Sequence, residues 1–100
     1  MKNGYRIKWT DNALEELKMT FEYIEDNWTE KELRNLSSEI ERAINLISTN
    51  PKLFPKLENR NIRRAVIKKL NTIYYRVIEN NSIEILSFFS NRQNPERRNI

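Results

Sequence analysis

The side chains of this sequence best suited to act on another molecule are cations. Arg63 and Arg64 open one apolar run and Lys68 and Lys69 close it; Arg76 sits within the next run, and Arg92, Arg97 and Arg98 follow the last. A guanidinium clamps phosphates or carboxylates in bidentate fashion. Tyr74, Tyr75, Phe88 and Phe89 lie among these cations, so the set could also stack against unpaired bases. Proton transfer is less well served, because a guanidinium stays protonated and the chain has neither His nor Cys. Cleavage of RNA by a 2′-hydroxyl would need a lysine, a tyrosine or a glutamate as acid and base.

Other chemistries are excluded by composition. Without His or Cys there is no nucleophilic triad, no thiolate metal site and no disulfide. A metal would need carboxylates alone, and none cluster suitably. Gly4 is the only glycine, so there is no glycine-rich phosphate loop. No cofactor and no metal are expected. Most carboxylates fall on the solvent faces of two helices, the ordinary way to keep a helix soluble. No run is long and apolar enough for a membrane span. The start, "MKNGYRIKW", lacks the apolar stretch of an export signal, which implies a cytoplasmic location.

One hundred residues with 38% hydrophobic content suit a single domain over 1–100 with one modest core. The charge is unevenly spread. Residues 1–50 carry 7 basic against 10 acidic side chains, and residues 51–100 carry 11 against 4. The second half therefore builds an electropositive surface, suited to phosphates or an acidic protein partner.

The elements that position these cations can be read from periodicity. "YRIKW" alternates as a half-buried strand. Leu14, Leu17, Phe21, Ile24 and Trp28 recur at helical spacing, with Thr10 or Asp11 as N-cap. A second helix opens at "TEKE", where Thr29 and Glu32 form a capping box, and it ends before Pro51. Hardly any loop joins the two, so they pack as an antiparallel hairpin. "PKLFPKLENRN" reads as an ordered loop. "IRRAVIKKL", "TIYYRVIE" and "SIEILSFFS" read as three strands, with Asn80 and Asn81 in the last turn. Straight alternation groups Tyr75 and Phe89 with the aliphatic Ile73, Val77, Ile83 and Ile85, leaving Tyr74 and Phe88 on a mixed face. The fold class is α+β, in the order β-α-α-β-β-β, with a helical hairpin on one face of a small, mostly antiparallel four-stranded sheet. The bare face would present Arg63, Arg64, Lys68, Arg76, Arg92 and Arg97 with Tyr74 and Phe88, an exposed patch that calls for a partner.

This ordered set resembles the RelE/ParE superfamily of type II toxins, nearest its ParE-like, plasmid-stabilisation branch. "DNALEELKMTFEYIEDNW" looks like the family's first helix and "AINLISTNPKLFPKL" like the end of its second. "IRRAVIKKLNTIYYRVIENNSIEILSFFSNRQNP" is similar to its arginine-led strand, its "Y-R-V" strand and its final strand with a basic tail. The resemblance implies a toxin held inactive by a cognate antitoxin whose acidic segment covers the patch. It implies one of two targets: DNA gyrase, bound by direct protein contact, or mRNA on the ribosome, cut by an endoribonuclease. Arg63 or Arg64 matches the strand-leading arginine and Arg92 the arginine after the last strand. The C-terminal Tyr or His of the nucleases has no counterpart here, which counts against the nuclease; gyrase is the target that the ParE-like branch implies. A basic binding module without toxicity is the remaining alternative.

Overall fold

The structure, a computed structural model, describes residues 4–67 and 71–90, with the backbone alone at position 27. Its elements are β1 (Arg6–Trp9), α1 (Asp11–Asn27), α2 (Glu30–Thr49), a 3-10 turn (Pro51–Leu53), β2 (Arg63–Ile67), β3 (Asn71–Ile78) and β4 (Ser82–Ser90). The sheet order is β1-β4-β3-β2. The last strand is thus central. It pairs antiparallel with β3 and parallel with β1, and β2 pairs antiparallel with β3.

Both helices start on threonine caps in extended conformation: Thr10 accepts from the Ala13 amide at 3.1 Å and Thr29 from the Glu32 amide at 3.2 Å. Each bond satisfies an N–H that the first turn cannot pair internally. α2 buries Leu36, Ile40, Ala43 and Ile47, a single stripe at helical spacing. α1 buries Ala13, Thr20 and Ile24. These stripes close on Ala65, Ile67, Ile73, Tyr75, Ile83, Ile85 and Phe88 of the sheet, giving one contiguous core. The helical hairpin therefore covers one face of the sheet. No helix among the described residues is long and apolar enough to cross a membrane.

Two further contacts fix the frame. Tyr5 donates its amide to the Ser48 carbonyl and accepts from the Ser48 hydroxyl, both at 2.8 Å. That latch brings the chain so close to α2 that a Cβ on Gly4 would collide with the Ser48 hydroxyl, so a larger residue there would have to turn that hydroxyl away from the Tyr5 carbonyl it now bonds. In the β3–β4 turn Asn80 and Asn81 hold φ of 64° and 55°, the left-handed region that asparagine tolerates better than most residues.

α1 also completes the sheet. β1 covers only Ser82–Ile85 of β4. Past that point Thr10 donates its amide (3.1 Å) and hydroxyl (2.9 Å) to the Ile85 carbonyl, and the Asn12 amide group donates to the Leu86 carbonyl at 3.0 Å. The Glu16 carboxylate then accepts from the Phe88 backbone N–H at 2.9 Å and the Ser87 hydroxyl at 2.8 Å. Glu16→Ala strands that amide and should lower unfolding free energy by about 1–3 kcal/mol in urea titration.

Tyr75, fully buried, donates its hydroxyl to the Pro51 carbonyl at 2.6 Å and meets the Phe54 ring edge-on. Burial pushes its pKa up to about 12, against a smaller opposing pull from Arg63. The unfolded chain releases this proton near the ordinary value of 10 and the folded one near 12. Stability is therefore retained below pH 10 and falls between pH 10 and 12, by about 1.4 kcal/mol per pH unit from this group. Tyr75→Phe should lose stability at neutral pH, by about 1 kcal/mol, and should show a correspondingly shallower decline above pH 10 in equilibrium unfolding.

Candidate functional site

The face of the sheet turned away from the helices is organised in cross-strand rows, because residues opposite each other in register share a face. One row runs Arg64, Tyr74, Ser87 across β2, β3 and β4. The next runs Arg76, Glu84, Lys8 across β3, β4 and β1, and the last Ile78, Ser82, Arg6. Arg64, Arg76, Arg6 and Lys8 are exposed, and Tyr74 is half-buried. Four cations from three strands thus share the bare face.

Glu84 is the carboxylate in the middle of these rows. The Arg76 guanidinium donates to it at 2.8 Å, and Lys8 stands opposite it on the other side. The pair is partly exposed, so it adds at most about 1 kcal/mol to stability; its main effect is to hold the planar Arg76 head in place across the strands. Beside it, at the turn end of the sheet, Arg6, Lys8, Arg76, Glu79 and Asn80 line a shallow concavity of about 520 Å³. Among the described residues no group of three His, Cys, Asp or Glu side chains could hold a metal ion.

The residues expected to form the patch separate. Arg64 and Arg76 lie on the bare face, with Tyr74 between them in register. Arg63 does not join them. It alternates to the helix side, where its guanidinium donates to the Phe54 carbonyl at 2.6 Å and, more weakly, to the Lys52 carbonyl at 3.4 Å. It serves as a brace for the loop after α2. Lys68, Arg92 and Arg97 lie outside the described residues.

Phe88 is a second correction. It is 1% exposed and belongs to the core, whereas straight alternation placed it on the mixed face. The cause is a β-bulge. Tyr74 pairs with Ser87 but Tyr75 pairs with Ile85, leaving Leu86 as an extra residue in β4. One extra residue reverses the alternation beyond it, turning Phe88 inward and leaving Phe89, opposite Thr72, half-buried on the other face. Arg6, Lys8 and Glu84 were missing from the expected set. The alternation of "YRIKW" does place Arg6 and Lys8 on one face of β1; what a sequence does not reveal is that β1 pairs with β4 and brings them beside Arg76.

The model of the family described as the ParE toxin of type II toxin–antitoxin system, parDE, matches residues 7–95. No curated protein matches the chain. Among solved structures the chain is similar to the chromosomal ParDE toxin–antitoxin system from P. aeruginosa, with TM-score 0.70 and 15% identity over 86% of this chain and 95% of that one. It is also similar to the RelBE2 toxin–antitoxin complex from Mycobacterium tuberculosis, with TM-score 0.60 and 16% identity over 88% and 99%. A conserved hypothetical protein of Helicobacter pylori follows with TM-score 0.54 and 11% identity over 89% and 97%. At these identities the structural likeness establishes the fold.

The bulge makes a direct test possible. Phe88→Ala should destabilise the domain by about 3–5 kcal/mol, as for a fully buried aromatic. Phe89→Ala should cost only a fraction of that, measured in parallel denaturant titrations.

Proposed function

The chain belongs to the ParE toxin family of type II toxin–antitoxin systems, and we propose that it arrests growth by binding a type II topoisomerase, DNA gyrase, through the bare face of its sheet. A cognate antitoxin neutralises it, and the pair acts in the cytoplasm as a plasmid-stabilisation or equivalent chromosomal module. The observation that carries this reading is the state of Glu84. RNA cleavage needs one group to take a proton and another to give one. On this face guanidinium groups are poor proton carriers, and the central carboxylate is engaged by Arg76 at 2.8 Å. Proton transfer would fall to Lys8 and Tyr74, neither of which is bonded to a carboxylate across the strands as Arg76 is to Glu84. Rows of cations around a half-buried tyrosine are better suited to gripping a protein surface, where arginine and tyrosine are the usual anchors.

Arg64 and Arg76 are the residues expected to make that grip, with Tyr74 between them and Arg6 and Lys8 extending it toward the turn. An antitoxin partner is supported by the neighbouring folds, two of which were solved as toxin–antitoxin systems. Its acidic side chains would complement the basic surface that the second half of the sequence supplies.

The decisive experiment is induced expression followed by a gyrase supercoiling assay and sequencing of RNA ends. The expected outcome is growth arrest with inhibited supercoiling and intact mRNA; prompt in-frame mRNA cleavage would instead support the endoribonuclease reading. The double variant Arg64→Ala/Arg76→Ala should inhibit supercoiling at least about tenfold less well, equivalent to about 1.4 kcal/mol of lost contact, while its thermal unfolding stays close to the parent's. Unimpaired growth on overexpression of folded parent protein would favour a binding module without toxicity.

A further inference from the structure

The bare face of the sheet has two ends of different chemistry. At the end away from the β3–β4 turn, Val66, Thr72 and Phe89 stand in register across β2, β3 and β4, a mostly apolar row beyond Arg64 and Tyr74. At the turn end, the shallow concavity of about 520 Å³ is lined by Arg6, Lys8 and Arg76, over a floor that includes Ile78 and Ser82. The same face thus offers a surface of protein-like character at one end and a cluster of cations at the other.

The three cations at the turn end are not used up by the fold. Arg76 bonds Glu84 through its Nε alone, and among the described residues no acceptor meets its two terminal nitrogens. The bond therefore aims the guanidinium and leaves its outer fork open, and such a fork matches two oxygens of a phosphate. Lys8 stands opposite Glu84 in register but makes no ion pair with it, and Arg6 has no side-chain partner among the described residues. What the lining lacks narrows the ligand further. No aromatic side chain is among the lining residues, so an unpaired base would find no ring to stack on.

We infer that the turn-end concavity grips the sugar–phosphate backbone of duplex DNA, so that the toxin touches the DNA on which its target works as well as the enzyme. The choice of DNA among phosphate polymers rests on the gyrase reading above. A duplex presents its phosphates outward and keeps its bases stacked inside, which suits a shallow site with cations and no ring. β1 is the border strand of the sheet, so the concavity opens sideways and a long polymer can run past it without being threaded. Arg6 and Lys8 lie two residues apart on that border, about 7 Å at the usual rise of a strand, and their long side chains can meet neighbouring phosphates. Glu79, also in the lining, limits the footprint, because a phosphate approaching it meets like charge.

The test is the affinity of the full chain for a mixed-sequence DNA duplex of about twenty base pairs, by fluorescence anisotropy between about 50 and 200 mM salt. Each phosphate neutralised by a cation steepens the fall of affinity with salt. Folded Arg6→Gln and Lys8→Gln should therefore each flatten the logarithmic slope by about 1 and bind about fivefold or more weakly near 0.1 M salt. Arg6→Lys keeps the charge and should keep the slope. Glu79→Gln removes the repelling carboxylate and should bind more tightly than the parent. Arg64→Gln, at the other end of the face, should leave the slope as it is; an equal loss there would spread the contact over the whole face and overturn a site at the turn. Tighter binding of a single-stranded RNA of the same length would overturn duplex DNA as the ligand. If the folded parent inhibits supercoiling yet does not bind the duplex at about 50 mM salt, this inference fails and the gyrase reading stands. If it binds the duplex with these slopes and leaves supercoiling untouched, the phosphate site stands and gyrase as target falls.

Discussion

The structure depends on how the long edge of β4 is completed. β4 has nine residues and β1 only four, so more than half of the central strand would have unpaired amides and carbonyls on one side. α1 supplies the missing partners with side chains. Thr10 and Asn12 give donors to two successive carbonyls, and Glu16 gives an anionic acceptor to an amide. A charge-assisted bond of this kind is stronger than a neutral one, which suits a site where a strand must be held by a helix.

The bulge follows from the same place. Leu86, the extra residue, lies where β1 ends and α1 takes over. The strand changes phase at that handover, so Ile83 and Ile85 face the core before it and Phe88 after it. The bare face inherits the consequence: Glu84 and Ser87, on either side of the bulge, both stand in register with outward residues of β3. Two successive arginines of β2 are divided by simple alternation, Arg63 bracing carbonyls of the loop after α2 and Arg64 facing outward. A basic dipeptide thus does two jobs, one structural and one at the surface.

Most of the architecture was legible in the sequence. Helical spacing, the Thr10 and Thr29 caps, the proline that ends α2 and the three alternating runs are local signals, and all appear in the fold. The candidate site was legible only in part. Arg64, Arg76 and Tyr74 fall where alternation puts them, but a single inserted residue leaves no mark in residues 85–90, which are all apolar or small, so Phe88 and Phe89 exchanged roles. Arg63 could not be told from Arg64 without knowing that the loop carbonyls lie on the helix side. Arg6 and Lys8 went unnoticed because their neighbours across the sheet are far away in the chain.

The central position of the last strand has a consequence for synthesis. Thr10 finds its hydrogen-bond partner at Ile85, 75 residues later, and among the described residues β4 is the one strand beside β1. Pairings between such distant segments form late, since the intervening chain must first be closed into a loop. A chain still emerging from the ribosome can make its helices and the β2–β3 ribbon, but it cannot seat β1 or finish the cationic face until residues 82–90 are free. Assembly of the cationic face is thereby deferred until residues 82–90 have been made, and a product terminated before them lacks the strand that joins β1 to β3.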